Sequence, residues 1–240
     1  MKLEIIPVPE GPQKDQINSA LAVVSGSDLF KGPWLAGGAA RRLLLQEPLL
    51  DGDLDFFFRD ENSIRLRRQL VEALASKRFV SKLATTFTVD TENGEALFQT
   101  INRKFYTDLP AVFEDFDFTI CQFATDGEYI AGTPEAFRDL KSKTLRFTGN
   151  AIKDTTTIRR VLKYINYGFV ADTGILGTTA KLASRNQLNN SLNLNQIESN
   201  YQPEDIKNSD SKIAWEILNS QVGYSPLLKK IKGVISNVFS

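Results

Sequence analysis

The 240-residue chain contains no histidine and one cysteine, Cys121. The missing histidine excludes His-based catalytic triads, histidine general bases and ordinary zinc sites, because each of these requires an imidazole. One cysteine cannot form an intramolecular disulfide, which fits a reducing compartment. We interpret Cys121 as a small core residue, since no histidine can activate its thiol. Carboxylate, lysine, hydroxyl and metal chemistry remain open to this protein.

The sequence also lacks an excess of charge and long apolar segments. Lys plus Arg and Asp plus Glu number 29 each, so no net charge draws the whole chain towards nucleic acid or a membrane. No apolar run approaches a transmembrane length, and residues 1–14 lack the pattern of a signal peptide. We therefore expect a cytoplasmic protein with no membrane partner, in which any polyanion is held by a local basic patch.

Hydrophobic periodicity divides the chain into two parts. Residues 1–145 mix helical and strand patterns, including period-two segments at 79–90 and 95–102 that Asn93-Gly94 joins as a β-hairpin. Residues 146–240 carry helical patterns only. We predict an α+β domain at 1–145 and a small all-helical domain at 146–240.

Two further segments of the first part have clear patterns. Residues 116–124 alternate like a strand, with Asp117 in its middle. Residues 62–77 are typical of an amphipathic helix. The side chains predicted to face inward from this helix are Ile64, Leu66, Leu70, Val71 and Leu74.

Residues 30–59 combine a small-residue turn with an Asp-x-Asp pair. Without side chains, Gly37 and Gly38 let the backbone approach a polyphosphate closely, and a helix that begins there directs free N–H groups at the anion. Asp53 and Asp55 alternate along a predicted strand, so their carboxylates lie on one face and repel each other unless a cation intervenes. Oxygen ligands on a strand suit Mg²⁺, which also accepts substrate phosphates.

The order of these elements resembles the nucleotidyltransferase fold of the DNA polymerase beta superfamily. It is most similar to the head of tRNA CCA-adding enzymes and bacterial poly(A) polymerases. The matching segments are Leu35-Ala36-Gly37-Gly38-Ala39-Ala40-Arg41, Leu43-Leu44-Leu45 and Asp53-Leu54-Asp55-Phe56. The size of the chain and its Phe116-Asp117-Phe118 segment also look like the small nucleotidyltransferase-like proteins of phages and large viruses. The resemblance implies a mixed or antiparallel sheet with flanking helices.

The chain departs from the family pattern at two places. Arg42 stands where these enzymes usually have an aspartate after the arginine. The Glu-Asp-x-x-Arg helix and the Arg-Arg-Asp segment, with which CCA-adding enzymes select nucleotides, are absent. The resemblance therefore implies nucleotidyl transfer as a reaction class, without CCA addition.

The resemblance also implies roles for individual residues. Two Mg²⁺ ions would be held by Asp53, Asp55 and a third carboxylate, for which Asp117 is our choice and Glu95 the alternative. The catalytic residues would be these aspartates, with Asp117 also able to accept the proton of the attacking hydroxyl. The NTP would be bound by Gly37, Gly38, Ala39 and Arg41. Arg41 has a second interpretation, as a structural ion pair or a charge on the helix face.

The acceptor is open at this stage. The basic turn of Arg159, Arg160 and Lys163 either contacts a nucleic-acid backbone or forms a solvated helix face. We consider three functions: an Mg²⁺-dependent nucleotidyltransferase that acts on an RNA 3′ end or a small hydroxylated molecule; a toxin-like enzyme that adds nucleotides to tRNA or a protein; and a catalytically inactive fold used as a binding or structural module.

Overall fold

A computed structural model describes residues 1–149 and 155–179. The chain divides into two units between Ala151 and Ile152. Most of the predicted helical domain, from residue 180 onwards, lies outside the described residues. No helix among the described residues is long and apolar enough to cross a membrane.

An eight-stranded mixed sheet forms the first unit, as expected for an α+β fold. Its strands are β1 (Glu4–Pro7), β2 (Trp34–Ala36), β3 (Leu54–Phe57), β4 (Ala75–Val80), β5 (Ala84–Thr91), β6 (Gly94–Ile101), β7 (Phe123–Thr125) and β8 (Tyr129–Gly132). Their spatial order is β1-β8-β7-β2-β3-β6-β5-β4. Neighbouring strands are antiparallel, except that β3 and β6 are parallel. The strand that carries Asp55 is therefore central, and β4 is an edge.

Helices flank this sheet in the first unit. They are α1 (Pro12–Val23), α2 (Gly38–Leu45), α3 (Glu61–Glu72), α4 (Leu109–Glu114) and α5 (Pro134–Lys141). Side chains cap three of them: Asp60, Asp108 and Thr133 each accept a hydrogen bond from the backbone N–H three residues on. Helices α1 and α2 instead follow Gly11 and Gly37, and neither has a side-chain cap.

Short strands also occur where the sequence predicted none. They are β9 (Thr144–Leu145) and, in the second unit, β10 (Val170–Ala171). The second unit otherwise contains α6 (Thr155–Asn166) and a helical segment at 173–179. The prediction of helices alone after residue 146 was therefore wrong at β10, whose two residues are too short for a periodic pattern.

Aromatic residues dominate the core around β3. The three consecutive phenylalanines 56–58 are buried, as their run predicted. Phe56 stacks on Phe98 of β6, with ring centroids 6.1 Å apart. Trp34 is fully buried, and its indole N–H donates to the Leu29 carbonyl at 3.1 Å. The packing of these aromatic side chains around β3 fixes the position of the strand that carries Asp55.

The predicted helix over 62–77 was wrong in its extent and in its buried face. Helix α3 ends at Glu72, and residues 75–80 form β4 instead. Ile64 and Val71 are buried, but Leu66 is 51% and Leu74 59% exposed, and Leu70 is exposed as well. The reason is that Ile64 and Val71, which are seven residues apart, lie on the face of α3 that packs against the sheet. The leucines spaced four apart then lie on another face.

The predicted strand over 116–124 was also wrong. Only β7 belongs to the sheet, and Thr119–Cys121 form a 3₁₀ turn in which Cys121 is half-buried. The backbone of residues 117–119 instead forms hydrogen bonds with residues 146–148. The Thr119 N–H donates to the Arg146 carbonyl at 3.0 Å, and the Thr148 N–H donates to the Asp117 carbonyl at 2.9 Å. These bonds satisfy the segment away from the sheet, which an alternating pattern cannot reveal.

Candidate functional site

Asp55 lies in the middle of the sheet, opposite Ala36 of β2 and Gln99 of β6. Asp53 immediately precedes β3. Both aspartates are half-buried, whereas the intervening Leu54 is fully buried on the other face. The alternation of an extended chain therefore places the two carboxylates together on the accessible face, as the sequence predicted.

Gln99 is a site residue that the sequence analysis missed. Its side-chain amide donates a hydrogen bond of 3.0 Å to the Asp53 carboxylate, across the boundary between β6 and β3. A polar amide directly after the apolar run of residues 96–98 was the available signal. The parallel pairing of β3 with β6, which makes it a neighbour of the aspartates, was not visible in the sequence.

The glycine turn lies beside Asp55. Gly37 has a φ of +86°, and its N–H donates to the Phe123 carbonyl at 2.8 Å. A Cβ at Gly37 would lie 4.0 Å from Asp55 Oδ2 and 3.6 Å from the Phe116 ring. Gly38 is partly exposed, but Ala39 is fully buried. A ligand beside Asp55 therefore meets Gly38 first, and Ala39 only behind it.

The two arginines of α2 have different surroundings. Arg41 is only 4% exposed, and buried guanidinium groups require partners within the protein. The Arg42 guanidinium donates to the Asp53 carbonyl at 3.1 Å. A Cβ on Gly38 would lie 3.1 Å from Arg42 Nη1, and one on Gly52 would lie 2.7 Å from the same atom. Arg42, which stands where the family usually has an aspartate, therefore lies between Gly38, Gly52 and the Asp53 carbonyl.

The predicted third carboxylate occupies a different environment. Asp117 is 8% exposed and precedes the 3₁₀ turn instead of lying within a strand. Glu95, the alternative, is the second residue of β6 and lies four residues before Gln99, or about 13 Å along the strand. Its carboxylate contacts Lys77 at 3.5 Å. Glu95 therefore lies away from the aspartate pair, and a metal-binding role for Asp117 stays a prediction.

Aromatic side chains support the glycine turn from behind. Phe57 makes edge-to-face contacts with Tyr106 and Phe116, at centroid distances of 5.7 and 5.5 Å. The Tyr106 hydroxyl donates to Asp115 at 2.9 Å. Burial, together with the neighbouring Asp115 carboxylate, raises the pKa of Tyr106 well above its usual range. Tyr106 therefore stays neutral and keeps this hydrogen bond at physiological pH.

The basic residues of the second unit lie on one face of α6. Arg159, Arg160 and Lys163 are exposed, whereas Val161 and Tyr164 are buried. Lys163 Nζ lies 5.9 Å from the ring centroid of Tyr167. This pattern is that of a solvated helix face, and contact with nucleic acid stays a prediction.

The side chains at the site can be compared with the ligands that Mg²⁺ prefers. Asp53 and Asp55 offer accessible carboxylate oxygens, which fit one Mg²⁺ that completes its coordination with water and phosphate. Among residues 1–149 and 155–179, no group of three or more His, Cys, Asp or Glu side chains is arranged to hold a metal ion. The aspartate pair therefore suits Mg²⁺ by its chemistry, and a two-ion arrangement with a third carboxylate stays a prediction.

Comparison with known proteins identifies the family of the chain. A family model described as Gabija anti-defense 2 family protein matches residues 12–143, and the chain belongs to this family. No curated protein matches the chain.

The chain is also similar to solved structures of tRNA nucleotidyltransferases. A Thermotoga maritima CCA-adding enzyme complexed with tRNA is similar with a TM-score of 0.55 and 18% identity; the match covers 79% of this chain and 48% of that one. A tRNA nucleotidyltransferase complexed with a primer tRNA and an incoming ATP analog has a TM-score of 0.49 and 21% identity, over 65% of this chain and 48% of that one. The chain thus spans about half the length of these enzymes. Its fold is nucleotidyltransferase-like.

Proposed function

We propose that this member of the Gabija anti-defense 2 family is a nucleotidyltransferase, which transfers a nucleotide from an NTP to a hydroxyl acceptor and releases pyrophosphate. The observation that carries the proposal is the position of Gly37 beside Asp55, with Asp53 on the same face of the sheet. A glycine turn next to a pair of carboxylates supports this proposal, because such a turn can bind phosphate while the carboxylates bind a cation.

In this proposal, different residues bind the NTP and the Mg²⁺. Gly38 offers backbone to the triphosphate, and the Arg42 guanidinium, already beside Gly38, supplies positive charge. Asp53 and Asp55 hold the Mg²⁺, and Gln99 orients the Asp53 carboxylate. When bound, the ion neutralises phosphate charge and polarises the group under attack. Asp117 remains our candidate for accepting the proton of the acceptor hydroxyl, which predicts an altered pH–rate profile in Asp117→Asn.

The family name suggests the purpose of the reaction. It assigns the family to countering Gabija defense. We therefore propose that transfer modifies an acceptor on which that defense depends, in the manner of a toxin-like enzyme that adds nucleotides to tRNA, to other RNA or to a protein. A structural neighbour's complex with tRNA favours RNA among these acceptors.

A second function has its own observation in support. The sheet position beside Asp55 carries the neutral amide of Gln99, and the described residues contain no three-carboxylate group. These features favour a catalytically inactive nucleotidyltransferase fold that acts against the defense by binding. The retained aspartate pair favours activity, because two unused neighbouring carboxylates would cost stability.

One experiment separates these functions. The protein is incubated with Mg²⁺ and each labelled NTP in turn, together with total RNA and a protein extract. We expect label in RNA, or in protein for the protein-modifying alternative. The absence of labelled product with every NTP would favour the binding module.

A further inference from the structure

One face of the sheet continues from the aspartate pair to the edge of the first unit. The register places Asp55 opposite Gln99, Gln99 opposite Thr86, and Thr86 opposite Phe79. These four residues therefore form a row across β3, β6, β5 and β4, with side chains on one face. Phe79 ends the row and is 67% exposed. The row spans three strand spacings, or about 14 Å.

Helix α3 covers the other face of the same strands. Arg68 of α3 donates to the Thr100 hydroxyl at 2.8 Å, and Arg78 of β4 contacts Glu72 at 2.6 Å. Thr100 and Arg78 each lie one residue from a member of the row. Alternation along a strand therefore directs Gln99 and Phe79 away from α3. The row is accessible: its three inner members are half-buried and Phe79 is exposed.

The charged residues around this row are distributed unevenly, with cations at one end of the strands and acidic residues at the other. Lys77 lies on the same face as Phe79, two residues along β4, and its side chain is exposed. Lys82 follows β4, and Arg103 follows β6, so both exposed cations lie at the same end of these strands. The opposite end is the β5–β6 hairpin, whose exposed acidic residues are Asp90, Glu92 and Glu95. A polyanion on this face therefore finds favourable charge at the Lys82 and Arg103 end.

We propose that this face, from Phe79 to Gln99, binds a single-stranded RNA acceptor and leads its end to Asp53 and Asp55. Phe79 stacks on a base, Thr86 and Gln99 offer polar contacts, and Lys82 and Arg103 meet phosphates. Exposed aromatic rings on an open sheet are a recurrent platform for unpaired bases. This inference rests on the proposed function and names its acceptor.

Binding is tested on the full chain without NTP, by fluorescence anisotropy with a labelled 12-nucleotide single-stranded RNA and with a duplex of the same length. We expect the single strand to bind more tightly than the duplex. Phe79→Ala should weaken its binding about tenfold, and Phe79→Tyr should restore it. Val80→Ala is the matched control, since Val80 is an exposed neighbour on the α3 face, and should leave binding unchanged. Lys82→Glu and Arg103→Glu should each weaken binding and reduce its salt dependence.

The inference would be overturned by no binding of the single strand, by equal effects of Phe79→Ala and Val80→Ala, or by a dimer that Phe79→Ala dissociates. The last would mean that a second copy covers the face. Asp53→Asn/Asp55→Asn separates the inference from the proposed function, because it should abolish transfer and retain RNA binding. If the wild type binds RNA in a Phe79-dependent manner but transfers no nucleotide, the RNA-binding face is supported and the proposed enzymatic function is rejected. If the protein transfers nucleotide to RNA and Phe79→Ala leaves the KM for RNA unchanged, the RNA-binding role of this face is rejected and the enzymatic function is kept.

Discussion

The side-chain amide of Gln99 donates a hydrogen bond of 3.0 Å to the carboxylate of Asp53. This contact joins β6 to the start of β3, where the sequence predicted only a pair of aspartates. A donor at this position partly offsets the repulsion between Asp53 and Asp55, since hydrogen bonds to ionised groups are stronger than those between neutral groups. The geometry of the pair therefore depends on β6 as well as on β3.

We expect Gln99→Leu to lower the free energy of unfolding by about 1 kcal/mol, because the half-buried Asp53 carboxylate loses its donor. Urea unfolding measures the change. Thr86→Val, on the same row, is the control and should have a smaller effect. In an Asp53→Ala background the Gln99→Leu penalty should shrink; an unchanged penalty in this double-mutant cycle would contradict the coupling.

Arg42→Ala should weaken binding of a fluorescent, non-hydrolysable ATP analogue about tenfold or more, since a charge-assisted contact to phosphate is lost. Arg42→Lys should recover only part of this loss, because an ammonium cannot reproduce the planar fork of the guanidinium. Arg65→Ala controls for the loss of one positive charge, as Arg65 is exposed on α3 and donates to Asn62 at 3.3 Å. Equal effects of Arg65→Ala and Arg42→Ala would reject a phosphate role for Arg42.

Gly37→Ala and Gly26→Ala form a matched pair, because both glycines have a φ of +86°. Each substitution should lower the free energy of unfolding by about 1–3 kcal/mol through backbone strain. A Cβ at Gly26 meets nothing within 4 Å, whereas one at Gly37 would lie 4.0 Å from Asp55 Oδ2. Only Gly37→Ala should therefore reduce binding of the ATP analogue in titration. A loss of affinity in both variants would point to general destabilisation.

Tyr106 should make the protein sensitive to alkali. Because burial and Asp115 raise the pKa of Tyr106 in the folded state, its contribution is complete below the unfolded-state pKa, near 10, and declines as the pH rises towards the folded-state value. Urea midpoints at pH 8 and pH 10.5 should therefore differ more for the wild type than for Tyr106→Phe. Identical pH dependence in the two proteins would show that Tyr106 does not titrate in this way.

Local patterns predicted the residues of the site better than its surroundings. Strand alternation predicted Asp53 and Asp55 on one face, because alternation is a short-range property, whereas the position of Gly37 beside Asp55 depends on the antiparallel pairing of β2 with β3. The contact of Gln99 with Asp53 depends on the parallel pairing of β3 with β6, which connects distant parts of the chain. The position of Asp117 was set by backbone bonds to residues 146–148, and these too are not encoded in a local pattern.

Transfer of labelled nucleotide by the wild type and by Asp53→Asn/Asp55→Asn is the most direct measurement of the central claim. The account predicts Mg²⁺-dependent labelling of an acceptor by the wild type and none by the double variant. The variant's unfolding free energy should equal or exceed that of the wild type, because repulsion between the carboxylates is relieved. Labelling that persists in a folded double variant, or a wild type that labels nothing with any NTP, would contradict it.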